Sequence, residues 1–202
     1  MEHRSDSYDI NNDNGIKALT LVKDLVDAGS MSKEVINWTQ GDVMNQFISG
    51  NIAMMVNGPW QVPTMREQAP DLNWDVTLLP KDAEYASCLG GENFGVIDGD
   101  NVDAALDFLQ FATSKDEVAS YIDDFGYIAA RKDVAEGQFT DDETMQKFTE
   151  EMQYAQPRGP HAQWPEISDA LSLAVNESIT GTSAPADAAA KAQSTIDGIL
   201  AE

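Results

Sequence analysis

Sulfur and imidazole chemistry are nearly absent from this sequence. There is one cysteine, Cys88, so no internal disulfide can form and no zinc site can be built from thiolates. The two histidines, His3 and His161, stand far apart in the chain and offer no metal-ligand spacing. Basic residues are scarce: 12 Lys and Arg against 35 Asp and Glu give a formal charge of −23. A surface this negative repels phosphate backbones and anionic lipid, which argues against nucleic acid as a partner and against docking on a charged membrane. Its plain reading is a solvated acidic surface that favours solubility. Long apolar runs are also missing. The stretch 52–56 (Ile-Ala-Met-Met-Val) is far too short to cross a bilayer, and the first six residues, Met-Glu-His-Arg-Ser-Asp, carry no apolar signal region.

What is present suffices for a packed protein. Of the 202 residues 42% are hydrophobic, enough for one domain or for parts of two lobes. Ile16, Leu19, Val22 and Val26 recur at helical spacing before Gly29, and a second short helix is expected over about 42–49, stopped by Gly50. Strands are expected at 52–56, 74–79 and 94–97, each bounded by glycine, proline or asparagine. From residue 102 onward the pattern turns helical. Ser114 to Glu117 and Thr140 to Glu143 read as capping boxes, Gly126 and Gly181 as stops, and Pro185 as the opening of a last helix. Strands interspersed with helices, with a helical C-terminal part, make an α/β protein. Three strands are few for so many helices, which hints that sheet partners lie outside these residues.

No catalytic signature emerges. There is no G-x-S-x-G, no phosphate loop and no G-x-G-x-x-G in the glycine-rich stretch 90–95. Carboxylate pairs are too plentiful in an acidic chain to point to glycosidase chemistry. The segments 9–13 and 98–100 lack the glycine and the closing glutamate of a calcium loop. No cofactor is expected. More informative are aromatic and small residues at expected strand ends. A sugar offers a C–H face that packs on an aromatic ring and a hydroxyl rim that takes forked hydrogen bonds. Trp60 follows a Gly-Pro turn, Gly91 with Gly90 permits close backbone approach, and Glu92 and Asn93 supply acceptors and a donor. Arg158 and Trp164 stand in a Pro/Gly-rich connection and supply a donor fork and a stacking face. Each also has a plain reading: core filler for a tryptophan, a turn for Gly-Gly, a surface ion pair for Arg158.

Residues 47–60, FISGNIAMMVNGPW, resemble the "F-x-x-G-x-x-A-M-x-x-x-G-P-W" segment of the family 1 extracellular solute-binding proteins, which are maltose-binding-protein-like. Further similar pieces follow in the family's order: 74–80, 89–93, 104–109, 126–131, 158–167 and 185–189. The resemblance covers nearly the whole chain. It implies a type II periplasmic-binding-protein-like α/β fold, present in part: much of the C-terminal lobe and a minor part of the N-terminal lobe. Residues 1–78 would form the first C-terminal-lobe part, 79–128 the hinge crossings and an N-terminal-lobe segment, and 129–202 a second, helical C-terminal-lobe part. The hinges would lie near 78–80 and 127–129.

The implied function is binding of an oligosaccharide or other sugar on the extracellular side of the cell membrane and its delivery to the transmembrane subunits of an ABC permease. On this resemblance Trp60 stacks on sugar, and Gly91, Glu92, Asn93, Arg158 and Trp164 line the cleft, while Arg131 is structural. The family's signal peptide and complete N-terminal lobe have no counterpart here, so the resemblance implies a chain truncated at its N-terminus, with exposed apolar surface and weak sugar binding by itself. Other readings stay open: a binding protein of the same family for a glycerophosphodiester or a polyamine, a carbohydrate-active enzyme, or a degenerate interaction domain that binds no solute.

Overall fold

The computed structural model describes residues 8–158 and 161–201. The chain divides into two units, Met1–Trp38 with Gly159–Glu202, and Thr39–Arg158.

Among its described residues the first unit is built mainly from three α-helices. Asn12 starts α1 (Asp13–Asp27) by accepting the N–H groups of Asn14 and Gly15, two of the donors a helix leaves unpaired at its start. Gly15 is required there: a Cβ would lie 2.0 Å from the Ile10 carbonyl oxygen. In α8 (Trp164–Thr180) Pro165 occupies the first turn, where its missing N–H costs nothing, and Gly181 ends the helix at φ 75°. Pro185 opens α9 (Pro185–Leu200) in the same way. Small residues on the facing sides, Ala174 with Ala188, Ala189 and Ala192, form one buried cluster, and Leu19 of α1 completes it. A second cluster of Ile167, Ala170 and Ile196 is covered by Tyr8, Ile10 and Trp164. The Gln193 side chain ties segment 8–11 to α9, accepting from Ile10 N–H at 2.9 Å and donating to Tyr8 C=O at 2.9 Å.

The second unit carries α2 (Gln40–Ile48), α3 (Gln61–Gln68), α4 (Val102–Ala112), α5 (Lys115–Tyr121), α6 (Lys132–Ala135) and α7 (Glu143–Glu151). Its deepest side chains are Val62, Met65 and Met145. The guanidinium of Arg66 on α3 forks onto Asp142, the N-cap of α7, at 2.7 and 2.9 Å. Val118, Ala129 and Val134 make a separate small cluster around α5 and α6. Arg131 grips Asp133 and donates to Thr113 C=O at 3.1 Å, linking the end of α4 to α6. This is the structural part expected of it. Strands β1 (Ser87–Leu89) and β2 (Ala155–Pro157) pair in parallel.

The helices expected from periodicity are present, with Gly29, Gly50, Gly126 and Gly181 all at positive φ where stops were expected. The strands differ. Among the described residues 52–56, 74–79 and 94–97 join no ladder, whereas the two short strands fall elsewhere. Residues 72–78 still alternate as a strand would, with Leu72, Trp74, Val76 and Leu78 half-buried between exposed neighbours. A ladder needs N–H and C=O groups alongside, and no described segment offers them there. The capping sites differ too. Ser114 makes no side-chain cap bond, and at α7 the cap is Asp142, not Thr140, because the Asp142 carboxylate accepts Met145 N–H while holding Arg66. A full capping box stands at Thr39 and Asp42 instead. Helix α3 has weak amphipathic periodicity and was not expected.

Candidate functional site

Five of the six expected site residues, Trp60, Gly91, Glu92, Asn93 and Arg158, sit at a turn or in a loop. The chain leaves α2 at Gly50 and runs without helix or strand to the turn at Pro59. Asn57 fixes that run: its Nδ2 donates to Gln40 C=O at 2.9 Å and its Oδ1 accepts the Gly58 N–H at 3.0 Å. Trp60 then becomes the N-cap of α3. Its six-membered ring lies directly over Gly58, where a Cβ would meet Trp60 Cη2 at 2.1 Å. Glycine at 58 is therefore the seat of the Trp60 ring. A neighbour completes the corner. The Tyr127 ring stands 6.0 Å from the Trp60 ring, tilted by 34°. Gly126 is buried at φ 67°, and a Cβ there would lie 2.8 Å from both Pro59 O and Pro63 Cδ. The Gly-Pro-Trp turn and the Gly-Tyr turn thus meet at backbone distance, and both rings remain half-exposed.

The β1–β2 ladder makes the second feature. Its register pairs Ser87 with Ala155, Cys88 with Gln156 and Leu89 with Pro157. Because the strands are parallel, Gly90-Gly91 and Arg158 emerge from the same, C-terminal end. In open α/β sheets that is the end where ligands bind. Gly91, Glu92 and Asn93 are exposed, and nothing lies within 4 Å of a Cβ placed at Gly90 or Gly91. Arg158 is exposed as well, and it forms no ion pair with a described residue. At the opposite end of the ladder Tyr85 and Tyr154 stack with ring centres 4.9 Å apart.

Trp164 has a different setting. It opens α8 in the other unit and packs on Tyr8, with ring centres 5.8 Å apart, over the Ile167–Ile196 cluster. His161 presents an edge to Tyr8 at 6.4 Å and accepts the Gln163 N–H through Nδ1. Trp164 therefore serves the core of its own unit. The structure joins Trp60 to Tyr127 and the Gly-Gly turn to Arg158. Tyr127, the ring beside Trp60, was not among the expected site residues although the segment 126–131 was noted; an aromatic after a helix-ending glycine is the signal that could have pointed to it.

The electrostatics are structural. Hydrogen bonds from the Arg66 guanidinium hold the Asp142 carboxyl below its ordinary value, those from Arg131 do the same for Asp133, and the Thr39 backbone N–H and hydroxyl lower Asp42. Each is a cap or ion-pair residue. Among the described residues no three His, Cys, Asp or Glu side chains are grouped to hold a metal, and no helix is long and apolar enough to cross a membrane.

Comparison with known proteins agrees with this architecture. Residues 4–147 match the sequence profile described as bacterial extracellular solute-binding protein. A binding protein of Brucella abortus (strain 2308) is 28% identical over 185 residues, covering 88% of this chain and 45% of the relative. A Brucella suis biovar 1 (strain 1330) binding protein gives the same figures. The chain thus spans about half the length of the curated relatives it matches. Among solved structures, an ABC transporter solute-binding protein from Thermotoga lettingae bound with α-D-tagatose superposes with a TM-score of 0.83 at 25% identity, over 99% of this chain and 52% of that one. The cyclic α-maltosyl-1,6-maltose binding protein of Arthrobacter globiformis gives 0.74 at 22% identity, over 99% and 51%. An ABC substrate-binding protein from Listeria monocytogenes in complex with cycloalternan gives 0.77 at 20% identity, over 100% and 53%. The fold is that of the periplasmic-binding-protein-like α/β receptors, represented here by helices and a small parallel sheet.

Proposed function

Because this chain belongs to the bacterial extracellular solute-binding protein family, we propose that it is the sugar-recognising part of a receptor that hands an oligosaccharide to an ABC importer. The observation that carries this reading is the seat of Trp60, whose ring is fixed over Gly58 yet half-exposed. An aromatic ring held in place and still partly accessible offers a surface against which the C–H side of a sugar ring can pack, and little ordering remains to oppose binding. The ladder end adds what a hydroxyl rim needs. Arg158 brings a fork of donors, Glu92 and Asn93 bring acceptors and an amide, and the open space over Gly90 and Gly91 lets a ligand approach the backbone.

The solved neighbours support the ligand class, since their bound or named ligands are all sugars. The receptor works on the extracellular side of the membrane. Closure of two lobes over the sugar forms the signal read by the permease. Binding and delivery, without bond breaking, are the whole of its chemistry, so a chromogenic glycoside is expected to remain unhydrolysed. Cleft walls contributed by two lobes bind more tightly than one, and since this chain spans about half the length of its relatives, it is expected to bind sugar weakly by itself.

The test is a thermal melt of the chain alone and with α-D-tagatose or cycloalternan at millimolar concentration. A ligand that binds only the folded state raises the midpoint. Trp60→Ala is expected to abolish the shift while leaving the ligand-free midpoint within a few degrees. A shift that survives Trp60→Ala would move the site away from this corner.

A further inference from the structure

The corner that holds Trp60 contains a second device, and its meaning rests on the reading of Trp60 as the sugar platform. We propose that Tyr127 is a positioning residue for Trp60, and that the Gln138 side chain in turn holds Tyr127 in place. The Trp60 ring is bounded on one side by Gly58 and approached by Tyr127 at 6.0 Å. Gly58 prevents inward movement of the ring, but it has no side chain to stop the ring swinging away. Tyr127 is the aromatic neighbour that supplies the second boundary.

The backbone of Tyr127 is secured with unusual completeness for a loop. Gln138 Nε2 donates to Tyr127 C=O at 3.1 Å, and Gln138 Oε1 accepts the Ala129 N–H at 2.7 Å. One amide side chain thereby does for residues 127–129 what a neighbouring strand would do for a ladder. The same Nε2 donates to Asp123 Oδ1 at 2.5 Å, which ties the amide to the turn just before Gly126. On the far side Gly126 is wedged against Pro59 O and Pro63 Cδ. Phe139, directly after Gln138, adopts φ 56°, a left-handed conformation that side chains other than glycine rarely accept. Strain of this kind persists only where its surroundings over-determine it, and here it sits one residue after Gln138, whose amide makes these bonds. A chain of fixed contacts therefore runs from Gln138 through Tyr127 to Trp60. Its chemical use is preorganisation: a stacking ring that is already ordered loses no rotamer freedom when a sugar arrives.

The experiment labels the full chain with 5-fluorotryptophan and follows its four tryptophan resonances by fluorine NMR, with Trp60 assigned through Trp60→Phe. Tyr127→Ala is expected to move and broaden the Trp60 signal and leave Trp38, Trp74 and Trp164 in place, whereas Tyr127→Phe leaves all four unchanged. Gln138→Ala moves the Trp60 signal in the same direction. An unmoved Trp60 signal in Tyr127→Ala overturns the proposal. If Tyr127→Ala does not fold, Tyr127→Leu, which keeps apolar bulk, decides in the same way. With α-D-tagatose as the probe, Tyr127→Ala weakens binding about three- to tenfold, the factor expected for ordering one side chain, and Tyr127→Phe does not. Loss of the tagatose response in Trp60→Ala together with full retention in Tyr127→Ala sinks this inference and leaves the sugar platform standing. Retention in Trp60→Ala removes the platform, and the inference goes with it.

Discussion

Asp142 shows how much one carboxylate can do in a chain that has 35 of them. It caps α7 through Met145 N–H at 3.1 Å and receives both guanidinium nitrogens of Arg66, from a helix 76 residues earlier. Its pKa is lowered from 3.8, first by the Arg66 hydrogen bonds and then by the N–H groups at the helix start. A carboxyl with a lowered pKa in the folded state adds stability that is present above its ordinary value and is lost as pH falls through the folded one. Asp142→Asn keeps the cap acceptor and removes the charge. Arg66 is 48% exposed, so solvent screens the pair and the loss is small, about 0.5–1 kcal/mol at pH 7. Urea unfolding of Asp142→Asn and the parent protein is expected to show that gap at pH 7 and to show it closing as pH drops below about 4. A gap independent of pH would assign the effect to packing. Trp60 and Tyr127 belong to the same scale. Their contribution depends on two glycines as well as on the aromatic side chains: Gly58 lets the Trp60 ring lie over it, and Gly126 lets the Tyr127 turn approach Pro59 and Pro63.

At the scale of elements, the amphipathic helices were legible, while the short α3 and the sheet were not, for a physical reason. A helix closes its hydrogen bonds within itself, so spacing such as Leu19 to Val26 and a terminal glycine suffice to locate it. A strand is defined by its neighbour. The β1–β2 ladder is three residues long on each side and includes Gln156 and Pro157, so nothing in its pattern distinguishes it from a loop. The most useful fact about the candidate site, that the Gly-Gly turn and Arg158 leave one end of that ladder, was invisible for the same reason. Helix pairing also explains Trp164. Its place at the start of α8 turns it toward Tyr8 and the cluster around Ile196, which matches the plain reading of a tryptophan as core filler. Ile196 is fully buried, and Ile196→Ala is expected to destabilise the first unit by about 2–5 kcal/mol, through lost transfer energy and the cavity left behind. Leu173 on the outer face of α8 is 47% exposed, and Leu173→Ala is expected to change stability by less than about 1 kcal/mol. Thermal or urea unfolding of the two variants checks the contrast; equal losses would show that α8 buries a different face.

Across the whole molecule, burial is unequal between the two units. The shorter unit contains ten of the buried apolar residues, from Leu19 and Val26 to Ile196, in three helices. Among the described residues the longer one, Thr39–Arg158, contains seven, six of them spread over five short helices and one, Ala129, outside any helix. It also leaves large apolar side chains in solvent, among them Ile97 at 91%, Phe94 at 64% and Phe108 at 61% exposure. Opening free energy follows buried apolar contacts and protected backbone hydrogen bonds, so the two units are expected to open separately. Ladder bonds are few in the second unit, and the runs 72–80 and 90–97 have no ladder partner among the described residues. Native-state hydrogen exchange should therefore show the slowest amides in α8 and α9, around Ala174, Ala189 and Ile196. Amides of residues 72–80 and 90–97 should exchange fastest, with α4 between them. Adding the sugar of the tagatose-bound relative should slow exchange first at the Trp60 corner, because a bound ligand protects the elements that hold it. Uniform protection across both units would mean that they unfold as one body, and the scattered burial in Thr39–Arg158 would then understate how firmly that unit is held.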